Sequence, residues 1–255
     1  VQILSSNLVQ NGDFSEEGVQ EVSNGSFATD SDWVKGSNWT ISNNKATSDG
    51  LNDTYLSQAI TGLDLSKTYK VEVTCTDYTS GNLLPKLGSS GFETYITSEG
   101  SFTYYGSFGT DATIRFYSSS FIGSITNISV KEVGMDWSTT VTSPNIVQFQ
   151  NDQVYLKRTV SAANELFQNS FTIGKTYKLQ IQANIVSDGI AIEGNGDLTR
   201  TNLISGTNTF YLTPNSIPLR IICVNNTSEG YITNVSAIEI TDDTNLPRIN
   251  YEGFS

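Results

Sequence analysis

The 255 residues carry a formal net charge of −12 and contain no histidine. The charge makes nucleic-acid phosphates poor partners, because that affinity rests on Lys and Arg. The missing imidazole removes Ser-His and Cys-His dyads and every His-ligated zinc site, so an enzyme would have to work with carboxylates alone.

Thr, Tyr, Phe and Gly are plentiful relative to strong helix formers, which predicts sheet rather than helix. No apolar run reaches the ~18 residues of a membrane-spanning helix, so membrane insertion is not expected. The opening "VQILSSNLVQ" lacks the charged and apolar regions of a secretory leader. The first residue is Val1, and the reading is that the chain belongs to something longer. Cys75 and Cys223 each fall in a strand-like run, one per half, and read as two buried free thiols.

In chain order the first feature is a doublet. "LVQNGDF" (Leu8–Phe14) is followed thirteen residues later by "EVSNGSF" (Glu21–Phe27). The second copy runs into "ATDSDW" and is assigned as the first strand of a domain. The first copy is assigned as a leftover start that pairs at an edge or joins a preceding module. "DWVKGSNWTIS" then brings Trp33 and Trp39 on either side of a turn at Gly36.

"SKTYKVEVTC" (Ser66–Cys75) alternates apolar and polar residues, the mark of a strand with one buried face. "FTYYGSF" is the densest aromatic run, and alternation sends Tyr104 and Tyr105 to opposite faces. Further on, "GKTYKLQIQA" repeats the first of these strands 108 residues later. "EGYITNVSAIEI" repeats "IGSITNISVKEV" at an offset of 107. Gln58 pairs with Gln168, and Arg115 with Arg220. The two strand motifs, holding one offset within a residue, indicate a tandem duplication. Short strand-like runs separated by Gly, Asn, Asp and Ser clusters predict antiparallel sandwiches. The fold class is therefore all-β: two tandem antiparallel β-sandwich domains. The first spans residues 1–133, with 1–20 as an edge or joining segment, and the second, diverged, spans 134–243. Residues 244–255 read as an extended linker.

"NLVQNGDF", "SFATDSDWVKGSNWTISNNKAT", "KTYKVEV" and "GSITNISVKEV", in this order, resemble the jelly-roll sandwiches of the carbohydrate-binding-module superfamily (family 4/9/22 type). The likeness is strongest to the versions in tail, fibre and capsid-surface proteins of tailed bacteriophages. It implies a non-catalytic virion module for adhesion or decoration, on the virion surface. Its partners would be other virion proteins, copies of itself and a cell-surface glycan. The alternative is an extracellular carbohydrate-binding module of a secreted polysaccharide-degrading enzyme.

A sugar site needs exposed aromatic faces flanked by amides and carboxylates. The candidates are Tyr78, Tyr95, Tyr104, Tyr105 and Trp33, each weighed against plain core packing. The family often holds one structural Ca²⁺, for which Asp13, Asp30, Asp32, Glu132 and Glu16 are the available acids; no cofactor is required. Asn127 stands where the family often has Asp, and solvated turn residues are the competing reading. "NWT", "NIS" and "NVS" match glycosylation sequons but read as structural.

Overall fold

The computed structural model describes residues 3–4, 6–92, 94–187, 189–194, 200–215 and 218–241; the linker read at 244–255 lies outside them. Among the described residues there is no helix. The strands in chain order are β1 (Ile3–Leu4), β2 (Glu17–Gln20), β3 (Val34–Lys35), β4 (Trp39–Ser42), β5 (Lys45–Asp49), β6 (Tyr55–Ala59), β7 (Thr68–Leu87), β8 (Ser90–Gly91), β9 (Gly100–Gly106) and β10 (Thr113–Val133). They continue with β11 (Ser138–Val141), β12 (Ile146–Gln150), β13 (Gln153–Lys157), β14 (Asn164–Gln168), β15 (Tyr177–Ser187), β16 (Ile190–Glu193), β17 (Thr201–Asn202), β18 (Gly206–Leu212), β19 (Leu219–Cys223) and β20 (Glu229–Thr241).

Two compact units divide the chain. The first comprises Glu16–Met135 with Gln148–Gln150, and the second Val1–Ser15, Asp136–Val147 and Asn151–Ser255. In the first, β7 and β10 pair antiparallel along almost their whole length. Both bend at the same level, where Asp77, Gly81 and Ser120 take positive φ and the register shifts between Ser119 and Ser124. A Cβ on Gly81 would lie 2.0 Å from the Ser120 carbonyl oxygen, so only glycine lets the strands cross the bend together.

Beyond the bend each strand enters a different sheet. The front sheet runs β3-β6-β10-β7, using Thr113–Ser119 of β10 and Asn82–Leu87 of β7. The back sheet joins β9, the first half of β7 and the second half of β10, with β2 and β5 also on β10. Between them lie Phe27, Trp33, Leu56, Tyr69, Val71, Leu83, Phe116, Ile128 and other buried side chains. Each such side chain contributes about 1.5–3 kcal/mol on removal from water. The second unit has the same two layers: β11-β14-β19-β16-β17, and β13-β20-β15-β18 with β1 on β20. Cys75 and Cys223 are free and buried, one in each unit.

The doublet turns out differently from its sequence reading. Neither copy is a strand; each is a turn that clips one sandwich. In the first unit the Ile128 amide donates to the Gly25 carbonyl (2.9 Å), the Trp33 indole to the Asn24 carbonyl (3.1 Å), and Gln58 exchanges hydrogen bonds with the backbone of Ser23. In the second unit the Val235 amide donates to Gly12 (2.8 Å), the Trp137 indole to Asn11 (2.9 Å), and Gln168 exchanges bonds with the backbone of Gln10. Phe27 lies 5.5 Å from Trp33 and Phe14 lies 5.2 Å from Trp137. Asn11, Phe14, Asn24 and Phe27 all take positive φ, a cost of order 1–3 kcal/mol each that the buried rings and capped carbonyls offset.

Leu8–Phe14 is therefore the opening of the second sandwich, not a leftover of the first. The first sandwich is inserted between that opening and Trp137. Its own ends permit this, because Glu17 and Val133 are register partners in β2 and β10.

The duplicated frame also shows where the units differ in packing. Phe116, fully buried beside Trp33 at 6.3 Å, has Ile221 as its counterpart. Around Ile221, a small cleft open to solvent is lined by Val9, Trp137, Leu166, Phe171 and Val235 among others.

Two outcomes test this account. A Cβ on Gly12 would sit 2.1 Å from the Val235 oxygen, and one on Gly25 2.1 Å from the Ile128 oxygen. Gly12→Ala should speed amide exchange at Val235 by about tenfold or more while leaving Ile128 protected, and Gly25→Ala should do the reverse. A plain tandem order would send both effects to the first sandwich. Separately, Ile221→Phe should raise the unfolding free energy by about 1 kcal/mol by filling the cleft, whereas Phe116→Ile should cost about 1–3 kcal/mol. A fall in Tm for Ile221→Phe would refute the correspondence.

Candidate functional site

The outward face of the first unit's front sheet carries an aromatic row. In β10, Ile114, Phe116 and Ser118 are buried, so Arg115, Tyr117 and Ser119 point outward; in β6 the buried Leu56 and Gln58 leave Tyr55 and Ser57 outside. Register places Tyr117 opposite Tyr55 on one side and opposite Leu84 of β7 on the other. The bridge between Leu83 and Ile96 brings Tyr95 next to Leu84. The result is a line across the strands, Tyr55–Tyr117–Leu84–Tyr95, spanning three inter-strand gaps or about 14 Å. Tyr55 and Tyr95 are 40% and 46% exposed, enough to offer ring faces to solvent.

Polar groups border this line. The Tyr55 and Tyr117 rings lie 5.0 Å apart at 44°. The Tyr117 hydroxyl donates to Asp53 Oδ2 at 3.3 Å, and Asp53 Oδ1 accepts from the Ser120 amide at 2.9 Å. Desolvation first, and then the Asp53 carboxylate, hold the Tyr117 phenol above its ordinary pKa, so it stays a neutral donor. The neighbouring row is Ser57–Arg115–Lys86, with Arg115 Nη1 donating to the Gly88 carbonyl (2.6 Å) and to Asp111 Oδ1 (2.9 Å). Lys86 Nζ reaches across the sheet to 5.9 Å from the Tyr55 ring centroid.

Of the five aromatic candidates from sequence, only Tyr95 lies on this face. Trp33 is 6% exposed and packs against Phe27 and Phe116 as part of the clip. Tyr104 is 8% exposed and stacks on Phe92 at 4.8 Å inside the sandwich. Tyr78 is half-buried against Phe121 and donates to the Gly81 carbonyl, at the bend. Tyr105 faces outward from the back sheet opposite Lys70. Tyr55 and Tyr117 were missed. Each follows the alternation of its own strand, but their meeting depends on a pairing between distant segments.

The structure does not bring the calcium candidates together. Asp13 belongs to the second unit, where Ser15 donates to it and holds its carboxyl below the ordinary value. Asp30 is paired with Lys35 (2.7 Å to Oδ2), Asp32 accepts from the Ser31 hydroxyl, and Glu132 faces Lys67 at 3.4 Å. Glu16 stands at the start of the first unit, and no group of three or more acids or cysteines suited to a metal occurs among the described residues. The "NWT" sequon begins at Asn38, which is 2% exposed and donates to Ser48 and Ser118; it is a packing group.

The corresponding face of the second unit lacks the aromatic row. Glu165, Ile222, Ala191 and Asn202 stand at those register positions, with Ile222 and Ala191 buried, and Arg220 pairs with Glu165 at 3.2 Å.

No known protein family and no curated protein matches the chain. Among solved structures, the chain is similar to the N-terminal tandem of CBM22 domains of Xyn10C from Paenibacillus barcinonensis. The TM-score is 0.32 at 9% identity, over 88% of this chain and 98% of that one.

Tyr104 yields a test that separates packing from ligand contact. Its hydroxyl is buried with no partner among the described residues, and burial raises its pKa to about 12 from 10.0. The stability due to the neutral phenol is complete below pH 10 and is lost as pH rises through about 12. Tyr104→Phe should keep or raise stability at neutral pH by up to about 1 kcal/mol, since it removes an unmade hydrogen bond. It should also flatten the alkaline decline in denaturant titrations. A variant that unfolds more readily at pH 7 would contradict this placement.

Proposed function

We propose that the protein is a non-catalytic glycan-binding module whose site is the Tyr55–Tyr117–Leu84–Tyr95 row of the first sandwich. The observation that carries this reading is the row itself: ring faces in line across one sheet, with Asp53 on one side and Ser57, Arg115 and Lys86 on the other. Pyranose faces are apolar and their edges are ringed with hydroxyls, so they match a surface of that kind. The second sandwich keeps the frame and not the row, and acts as the carrier.

Its setting is a virion surface, where the module adheres to a host or environmental glycan. This rests on the resemblance of "NLVQNGDF", "KTYKVEV" and "GSITNISVKEV" to the sandwiches of tailed-phage structural proteins. The same face would serve equally well beside a polysaccharide-degrading catalytic domain. Partner virion proteins, self-association and an added calcium ion belong to the first setting as proposals.

A glycan array followed by titration calorimetry tests the site. The parent should bind at least one extended glycan. Tyr55→Ala, Tyr117→Ala and Tyr95→Ala should each weaken it by about tenfold, or about 1.4 kcal/mol, whereas Tyr105→Ala should not. Binding that survives all three row substitutions would overturn the assignment.

A further inference from the structure

Cations in this chain are scarce, 14 Lys and Arg against 26 Asp and Glu, and most are spoken for. In the first unit Lys35, Lys45, Lys67, Lys70, Arg115 and Lys131 each have a carboxylate partner. Lys86 has none among the described residues. It stands directly opposite Arg115 in the β7–β10 register, both side chains facing outward. Two like charges facing each other across a ladder destabilise it. Asp111 neutralises Arg115 from one side, which leaves Lys86 as the one cation beside the aromatic row without a carboxylate partner among the described residues. Its ammonium lies over the Tyr55 ring, where cation–π attraction holds it above the row rather than out in solvent.

We infer that the preferred glycan is carboxylated: a uronate-bearing chain that stacks on Tyr55 and Tyr117 and sets a carboxylate against Lys86. This rests on the glycan-binding reading of the row. The opposite border is already anionic, because Asp53 sits at the Tyr117 hydroxyl. The row is thus polarised, and an acidic sugar is favoured with its carboxylate on the Ser57–Arg115–Lys86 side, where the Lys86 ammonium lies over Tyr55. The net charge of −12 does not cancel this preference. Repulsion from distant carboxylates is screened beyond ~8–10 Å in physiological salt, while a contact with Lys86 is not. The expected contribution at a half-exposed site is on the order of five- to tenfold in affinity.

The test uses the full chain with an oligogalacturonate, an oligomannuronate and the carboxyl-reduced form of each. At least one acid should bind about five- to tenfold tighter than its reduced form. The preference should vanish in about 1 M salt, where the screening length falls to about 3 Å. Lys86→Gln should bring the acid down to the affinity of the reduced form, and Lys86→Arg should restore the gap. Equal or tighter binding of both reduced forms would overturn the inference while leaving the row as a neutral-glycan site. So would binding of neutral array glycans with no binding of either acid. Failure of every glycan, neutral and acidic, would instead remove the site itself.

Discussion

The antiparallel pairing of β7 with β10 is the constraint on which the first sandwich depends. The same two strands supply the centre of both sheets, bending together where Gly81 meets Ser120. The bend also resets which residues face inward. In β10 the inward set is Ile114, Phe116 and Ser118 before it, and Phe121, Ile125, Ile128 and Val130 after it. A slip of one residue at the bend would turn Tyr117 into the core and Phe116 into solvent. The aromatic row is therefore a consequence of where the bulge lies as much as of the tyrosines themselves.

That dependence explains what could be read from the sequence and what could not. Alternation in "KTYKVEV" and "GSITNISVKEV" is a local signal, and it identified strands and their repeat correctly. It cannot say which of two faces is covered, and so Tyr104 was a candidate on equal terms with Tyr105. Trp33 is a candidate weighed against core packing, and its burial is set by Phe27 and Phe116, one from a turn and one from a strand far along the chain. Tyr55 and Tyr117 meet only through the β6–β10 pairing, a non-local fact. The doublet shows the same limit. Both copies are legible, but assigning the first to the second sandwich requires the bond from the Leu8 amide to the Ala237 carbonyl and those from Val235 and Trp137 to its backbone. One local clue existed: joining "NGDFS" to "DWSTT" reproduces the order Asn-Gly-x-Phe followed by Asp-Trp found in "NGSFATDSDW".

The insertion also bears on how the two units came to differ. Each sandwich keeps the features that close it: a clip glycine against a carbonyl, a tryptophan capping the clip asparagine, and a glutamine that reads the clip backbone in both directions. These serve closure and are indifferent to what the front sheet presents. The positions of the row differ between the units, with Tyr55, Tyr117 and Leu84 facing outward in one case and Glu165 beside the buried Ile222 and Ala191 in the other. A frame that is complete without its outer face is the condition under which one sheet can be given over to recognition.

The electrostatics of the front face follow from the same separation. A strongly acidic chain gains solubility from its charge, but each carboxylate near a sugar site competes with the ligand for donors. On this face the acids are held in place: Asp53 by Ser120 and Tyr117, and Asp111 by Arg115. Both thereby accept from the protein's own donors, Asp53 from the edge of the row itself. Lys86 is treated in the opposite way, held by a ring rather than by a carboxylate. A cation–π contact restrains the ammonium while leaving its charge available, whereas an ion pair would have cancelled it. The row thus has one anionic border and one cationic border, and in the proposed glycan site that asymmetry, rather than the rings, would orient a bound chain.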